Sequence, residues 1–179
     1  MIYLVRHGEA AAGWGSHPNP GLSDTGQSQA NAVAETLVSL DLKHAFTSPM
    51  QRCQETGAPF ADRSGLALSI TPEVTEIPTP NDIEDRVTWL RALMSGEWAA
   101  APDMVQDWRT RLIDCVQNLP ANSVVFTHFV AINAIVGHLE GTDAVTVFRP
   151  NYCSLTKIDN QSGALSLIAR GKSLETKVL

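Results

Sequence analysis

The chain has 179 residues, 44% of them hydrophobic, and a formal net charge of −6. That length and apolar content suit one sizeable core and a single domain over residues 1–179. The negative balance, without any basic run, argues against broad binding to nucleic acid or to anionic membranes.

Residues 2–5, Ile-Tyr-Leu-Val, are apolar and β-prone and read as a buried strand. The run is too short for a signal peptide or a membrane span. The strand delivers Arg6, His7 and Gly8 where it stops, and Gly8 gives the backbone room to turn. A cation beside an imidazole suits chemistry on a phosphate. Residues 9–22 are rich in Gly, Pro and small side chains and include Trp14 and His17. They form either a cover for a pocket or a plain surface connection. Asp24 and Gln27 have capping-box spacing, which predicts a helix to about Leu40 with Ala30, Val33, Ala34, Leu37 and Val38 on its apolar face.

Residues 45–48 end a second strand. In Ser48-Pro49-Met50-Gln51-Arg52, Ser48 suits a helix cap, Pro49 the first position and Gln51 the capping box. A helix to about Asp62 follows. Arg52 then sits in its first turn, where a positive charge opposes the helix dipole unless an anion binds there. Leu68-Ser69-Ile70 is a short strand. Residues 82–95 carry a helical pattern with Ile83, Arg86, Val87, Leu90 and Leu93. A further helix from about Asp103 places Met104, Trp108, Leu112, Val116 and Leu119 on one stripe. Trp89, Trp98 and Trp108 read as core, with a hydrophobic cap over the site as the alternative. Residues 123–127 are a strong strand that ends at His128, and a helix over 129–139 stops near Gly141. Tyr152–Ile158 and Ala164–Ala169 read as a terminal hairpin around residues 160–163.

Arg6, His7 and His128 thus stand at strand ends, the edge where open α/β sheets bind ligands. Leu-Val-Arg-His-Gly-Glu, Leu-Ser-Asp-Thr-Gly-Gln-Ser-Gln-Ala (22–30), Thr-Ser-Pro-Met-Gln-Arg-Cys-Gln-Glu-Thr (47–56) and Val-Val-Phe-Thr-His (124–128) together resemble the histidine phosphatase superfamily, the phosphoglycerate mutase-like proteins. The resemblance runs in order over about residues 2–158. It implies a phosphohistidine mechanism with His7 as nucleophile and Arg6, Arg52 and His128 around the phosphoryl group. Three positions depart from the family pattern. Ala10 and Gly13 stand where threonine and asparagine are common, and Phe129 stands where glycine usually follows the second histidine. Family members with an acid in the next segment tend to show apolar-x-Glu-apolar. That pattern fits Val74-Thr75-Glu76-Ile77 and favours Glu76 over Glu73 as proton donor. Glu9 is a nearby carboxylate better suited to shaping the site.

A neutral imidazole attacks phosphorus through one nitrogen while the other holds its proton, and two arginines offer planar forks to phosphate oxygens. No metal or other cofactor is implied, and the histidines lack ligand spacing. His17, His44 and His138 read as structural or exposed. Cys53, Cys115 and Cys153 are widely spaced, which suits neither a disulfide framework nor a zinc site and fits a reducing, cytoplasmic compartment.

The expected architecture is a three-layer α/β/α sandwich with a mostly parallel central sheet. The expected activity is metal-independent hydrolysis of a phosphomonoester or phosphoprotein. The alternatives are a mutase and a catalytically weak phosphate-binding or regulatory protein.

Overall fold

The computed structural model describes residues 1–13, 18–160 and 164–173. Trp14, His17 and most of the hairpin turn at 160–163 lie outside them. Six strands form one sheet: β1 (Ile2–Arg6), β2 (His44–Thr47), β3 (Leu68–Ile70), β4 (Ser123–Thr127), β5 (Leu155–Asp159) and β6 (Ser166–Ala169). Their order is β3-β2-β4-β1-β5-β6. The first four are mutually parallel, β5 runs antiparallel to β1, and β6 antiparallel to β5. The mostly parallel sheet is therefore as expected.

Alternation along the central strands builds the two other layers. Tyr3, Val5, Val124 and Phe126 face α1 (Asp24–Val38) and α2 (Gln51–Ser64), against Val33, Leu37 and Phe60. Ile2, Leu4 and Val125 face the other way. There they join Leu90 of α3 (Arg86–Met94), Leu112 of α4 (Asp103–Gln117) and Ile132 of α5 (Phe129–Glu140). Residues 129–137 of α5 are all buried, so this helix is enclosed on every side, and its one polar residue in that stretch, Asn133, is satisfied by accepting from Val147 N–H and Phe148 N–H. Among the described residues no helix is long and apolar enough to cross a membrane.

Several boundaries differ from the expected ones. The cap of α1 is Ser23, whose hydroxyl accepts from Gly26 N–H at 3.0 Å, and Asp24 is the first helical residue. Val38 is exposed rather than part of the buried face. Helix α2 begins at Gln51 with Met50 at the cap, so Pro49 is not its first residue and Ser48 does not cap it. Gln51 Nε2 reaches Glu55 at 2.7 Å instead of closing a capping box. Helix α3 starts later than its apolar pattern, because Asp85 accepts from both Val87 N–H and Thr88 N–H. On α4, Val105 takes the inward place expected for Met104, which is exposed. Trp98 and Trp108 pack together inside the core with ring centroids 6.3 Å apart, and Trp89 packs against the same core. None of the three lines the cleft described below, so the cap alternative does not hold. Tyr152 lies in a turn and not in β5. Cys153 takes a φ of 54° while its N–H donates to Arg6 C=O at 2.9 Å, which bends the chain before the strand starts.

Gly8 has a different duty from a sharp turn. A Cβ on Gly8 would lie 2.7 Å from Gly26 O, and one on Gly26 would lie 2.1 Å from Glu9 O. The end of β1 and the first turn of α1 thus touch backbone to backbone. Gly26→Ala should destabilise the protein by about 1–3 kcal/mol, the usual cost of forced overpacking. In contrast, Gly96→Ala adds a carbon that meets nothing nearer than 3.5 Å and should shift stability by less than about 0.5 kcal/mol. Denaturant midpoints of the two variants check this, and equal midpoints would refute the close approach.

Candidate active site

Parallel strands β1, β2 and β4 end on one edge of the sheet. The register pairs Arg6 with Thr127 and Thr47 with Phe126, and His7 N–H continues the ladder to Thr127 C=O at 2.9 Å. Successive strand residues point to opposite faces. Arg6 accordingly turns towards α5, and His7 towards α2. Both open into a cleft of about 680 Å³, together with Arg52, Glu76, Phe129 and Tyr152.

His7 is held by the backbone that follows it. Its Nδ1 lies 2.7 Å from Gly8 C=O, so Nδ1 carries the proton and donates, and Nε2 keeps its lone pair. Arg52 Nε donates to that Nε2 at 3.3 Å. Burial pushes the His7 pKa down to about 3, with the charges of Arg52 and Arg6 adding to the shift. The ring is therefore neutral at any ordinary pH.

Arg52 stands in the first turn of α2, buried to 7% exposure. Its backbone is tied to the β1 turn through Thr56, which donates to Arg52 C=O at 2.6 Å and accepts from Gly8 N–H at 3.0 Å. Its Nη2 reaches His128 Nδ1 at 3.2 Å. His128 is the cap residue of α5 and completely buried. With Nδ1 accepting from Arg52, Nε2–H donates to Ser48 Oγ at 2.8 Å. Ser48 Oγ in turn accepts from Met50 N–H at 3.2 Å. This is why Ser48 does not act as the helix cap: its hydroxyl serves the imidazole. Burial, then the neighbouring His7 and Arg52, lower the His128 pKa well below its ordinary value.

Glu76 follows a short turn over Pro72–Val74 that Thr127 pins, its Oγ1 donating to Val74 C=O at 2.7 Å. The flanking Val74 and Ile77 are buried, which accounts for the apolar-x-Glu-apolar pattern. The Glu76 carboxylate comes 3.5 Å from Arg52 Nη2 and 3.6 Å from His128 Nδ1. Glu73 is exposed and does not line the cleft. Glu9 is absent from the lining too, and ties β1 to α1 by accepting from Ser23 Oγ at 2.7 Å.

Arg6 Nη1 donates to Pro150 C=O at 2.9 Å. Its guanidinium lies between two rings, 4.0 Å from the centroid of Tyr152 and 5.3 Å from that of Phe129. Phe129 thus builds a wall for Arg6. Ala10 and Gly13 line the cleft without side-chain hydrogen bonds to offer there. Five residues picked out in the sequence, Arg6, His7, Arg52, Glu76 and His128, are brought together. Tyr152, Ser48 and the cleft-lining Arg86 were not picked out, since a strand residue, a helix cap and a helical arginine are their ordinary local readings. His44 and His138 are exposed, and the three cysteines are unpaired. Among the described residues no group of three His, Cys, Asp or Glu side chains is placed to hold a metal ion.

The model of the histidine phosphatase superfamily, branch 1, matches residues 2–171. A relative from Erwinia tasmaniensis named "Probable phosphoglycerate mutase GpmB" is 27% identical, over 98% of this chain and 91% of its own. Among solved structures, YhfR of Bacillus stearothermophilus superposes with a TM-score of 0.80 at 18% identity, covering 97% of each chain. The native mycobacterial glucosyl-3-phosphoglycerate phosphatase does so with a TM-score of 0.75 at 19% identity, covering 96% of this chain and 98% of that one.

The neutral histidines make stability depend on pH. An unfolded chain protonates His7 at about pH 6.5, whereas the folded chain resists protonation down to about pH 3. The stabilising contribution is therefore full above about pH 6.5 and is lost as the pH falls towards 3. His7→Gln removes the titrating group. Between pH 7.5 and 5 the variant should lose less unfolding free energy than the wild type in denaturant titrations; identical losses would contradict a buried neutral His7.

Proposed function

The chain belongs to branch 1 of the histidine phosphatase superfamily, and from that membership and the cleft geometry we propose that it hydrolyses a phosphomonoester, or a phosphorylated protein side chain, through a phosphohistidine on His7. The observation that carries this reading is a single guanidinium, Arg52, that donates to the unprotonated His7 Nε2 and lies 3.5 Å from the Glu76 carboxylate. Nucleophile, electrostatic clamp and proton carrier border one volume.

In the first step His7 Nε2 forms a bond to phosphorus and the bond from phosphorus to the ester oxygen breaks. The leaving oxygen takes a proton from the Glu76 carboxyl, which receives it from the entering phosphomonoester monoanion as the phosphate replaces Glu76 as the countercharge of Arg52. The phosphorylated imidazole is cationic, and its Nδ1–H bond to Gly8 C=O, 2.7 Å long in the free ring, stabilises that charge. In the second step the Glu76 carboxylate takes a proton from water. The resulting hydroxide bonds to phosphorus, the bond from phosphorus to Nε2 breaks, and Glu76 is again protonated. Arg6 and Arg52 neutralise the phosphoryl oxygens through both steps. The Ser48 hydroxyl is a rotor. When it donates to His128 Nε2 instead of accepting, Nδ1 carries the proton and donates to a phosphoryl oxygen.

Hydrolysis is preferred over phosphoryl return to a second hydroxyl. A mutase holds a bisphosphorylated intermediate and needs two complete phosphate sites, and among the described lining residues only Arg86 adds a cation to the pair Arg6 and Arg52. The placement of Glu76 likewise weighs against a purely phosphate-binding role.

Glu76→Gln tests the assignment. An alkyl phosphate leaves as a basic alkoxide and needs the proton, whereas nitrophenolate is stable without it. Single-turnover phosphorylation from an alkyl phosphate should slow by about a hundredfold or more, the range of general acid catalysis, and from nitrophenyl phosphate by much less. Equal, small effects on both substrates would exclude Glu76 as the acid.

A further inference from the structure

Arg86 is the first residue of α3 and lines the cleft. A cation at this end of a helix opposes the dipole, so the position is not one that local helix stability selects. Its Nε donates to Thr79 Oγ1 at 2.7 Å. Among the described residues no carboxylate forms an ion pair with it. Its charge is felt at the cleft floor, where it contributes to the lowered pKa of His128.

Most of the rest of the described lining is apolar. Ala10, Ala12, Met50 and Ile77 bring neither charge nor a strong hydrogen-bonding side chain, and Thr75 and Tyr152 add one hydroxyl each. Apart from Arg6, Arg52, Glu76 and the His7 ring, Arg86 supplies the one charged side chain among the described lining residues. With Nε engaged by Thr79, its two terminal nitrogens keep the planar fork that fits a carboxylate end-on.

We propose that Arg86, oriented by Thr79, binds an anionic group on the leaving portion of the substrate. The preferred substrate is then a phosphomonoester whose alcohol is a short, largely apolar body ending in a carboxylate. This rests on the hydrolase reading above and adds what that reading leaves open, the chemistry of the leaving group. Along the described lining a polyhydroxylated sugar meets only the Thr75 and Tyr152 hydroxyls beyond the charged groups and Thr79, whereas an apolar body with one anionic end meets both the apolar stretch and Arg86.

The test uses meta- and para-carboxyphenyl phosphate, each paired with its neutral carboxamide. For the wild type, kcat/KM for at least one carboxylate should exceed that of its amide by about tenfold or more, the range of a hydrogen bond to a charged group. In Arg86→Gln the ratio should fall to near one. Arg86→Lys should restore part of it, and Thr79→Val should lower it without abolishing it. A wild type with no carboxylate preference, or a preference that survives in Arg86→Gln, overturns the proposal. Calorimetric binding of the same four esters to His7→Ala protein, with and without Arg86→Gln, reads the subsite apart from catalysis. A carboxylate preference that disappears with Arg86, in a protein whose wild type turns over no ester, supports the subsite and rejects the hydrolase reading. Equal binding of carboxylate and amide rejects the subsite whatever the turnover.

Discussion

One buried guanidinium organises this site. Arg52 reaches His7 at 3.3 Å, His128 at 3.2 Å and Glu76 at 3.5 Å. Taking such a charge out of water costs several kcal/mol unless its donors are satisfied. Glu76 supplies the countercharge, and the two imidazoles supply lone pairs. Before a phosphoryl group binds, that demand sets the tautomers: each ring presents an unprotonated nitrogen to Arg52 and places its proton elsewhere. Gly8 C=O receives one proton and Ser48 Oγ the other. The unprotonated Nε2 on which the proposed role of His7 rests is thus a consequence of how a cation is accommodated, and Thr56, bonded to Arg52 C=O and to Gly8 N–H, ties the same residue back to the segment that holds His7.

Global and local electrostatics run in opposite directions. The chain carries a net charge of −6, yet the described cleft lining has three arginines against one glutamate. Attraction of a phosphate therefore depends on the local cluster, and a screened surface adds little at physiological salt. The aromatic wall strengthens the cluster. Tyr152 and Phe129 flank the Arg6 guanidinium and hold it flat while limiting its contact with water. A phenylalanine beside the second histidine is thus part of the cleft wall that holds Arg6, not a blockage of the proposed phosphate site.

Much of this was legible in the sequence for a simple reason. Strand ends in a parallel sheet share one edge, so a polar residue that closes an apolar run announces its position, as Arg6 and His128 do. Glu76 was legible through the family's apolar-x-Glu-apolar pattern, whose apolar positions Val74 and Ile77 are buried on either side of it. What escaped depends on contacts between distant segments. Ser48 looks like a helix cap until the fold brings His128 to it across 80 positions. Tyr152 looks like a strand residue until Cys153 N–H bonds to Arg6 C=O and turns the chain. Arg86 looks like any helical arginine until Asp85 sets the start of α3 and Thr79 turns the side chain into the cleft. The need for glycine at positions 8 and 26 is of the same kind, since it arises from two backbones meeting.

The central claim is that phosphorus passes through His7 Nε2. Rapid mixing with a phosphomonoester, quenching in alkali and peptide mass spectrometry test it most directly. The account predicts one phosphoryl group on His7, stable in base and labile in acid, formed before product is released and absent in the folded His7→Ala protein. Turnover by a folded His7→Ala protein, or a phosphoryl group trapped on another residue, would contradict it.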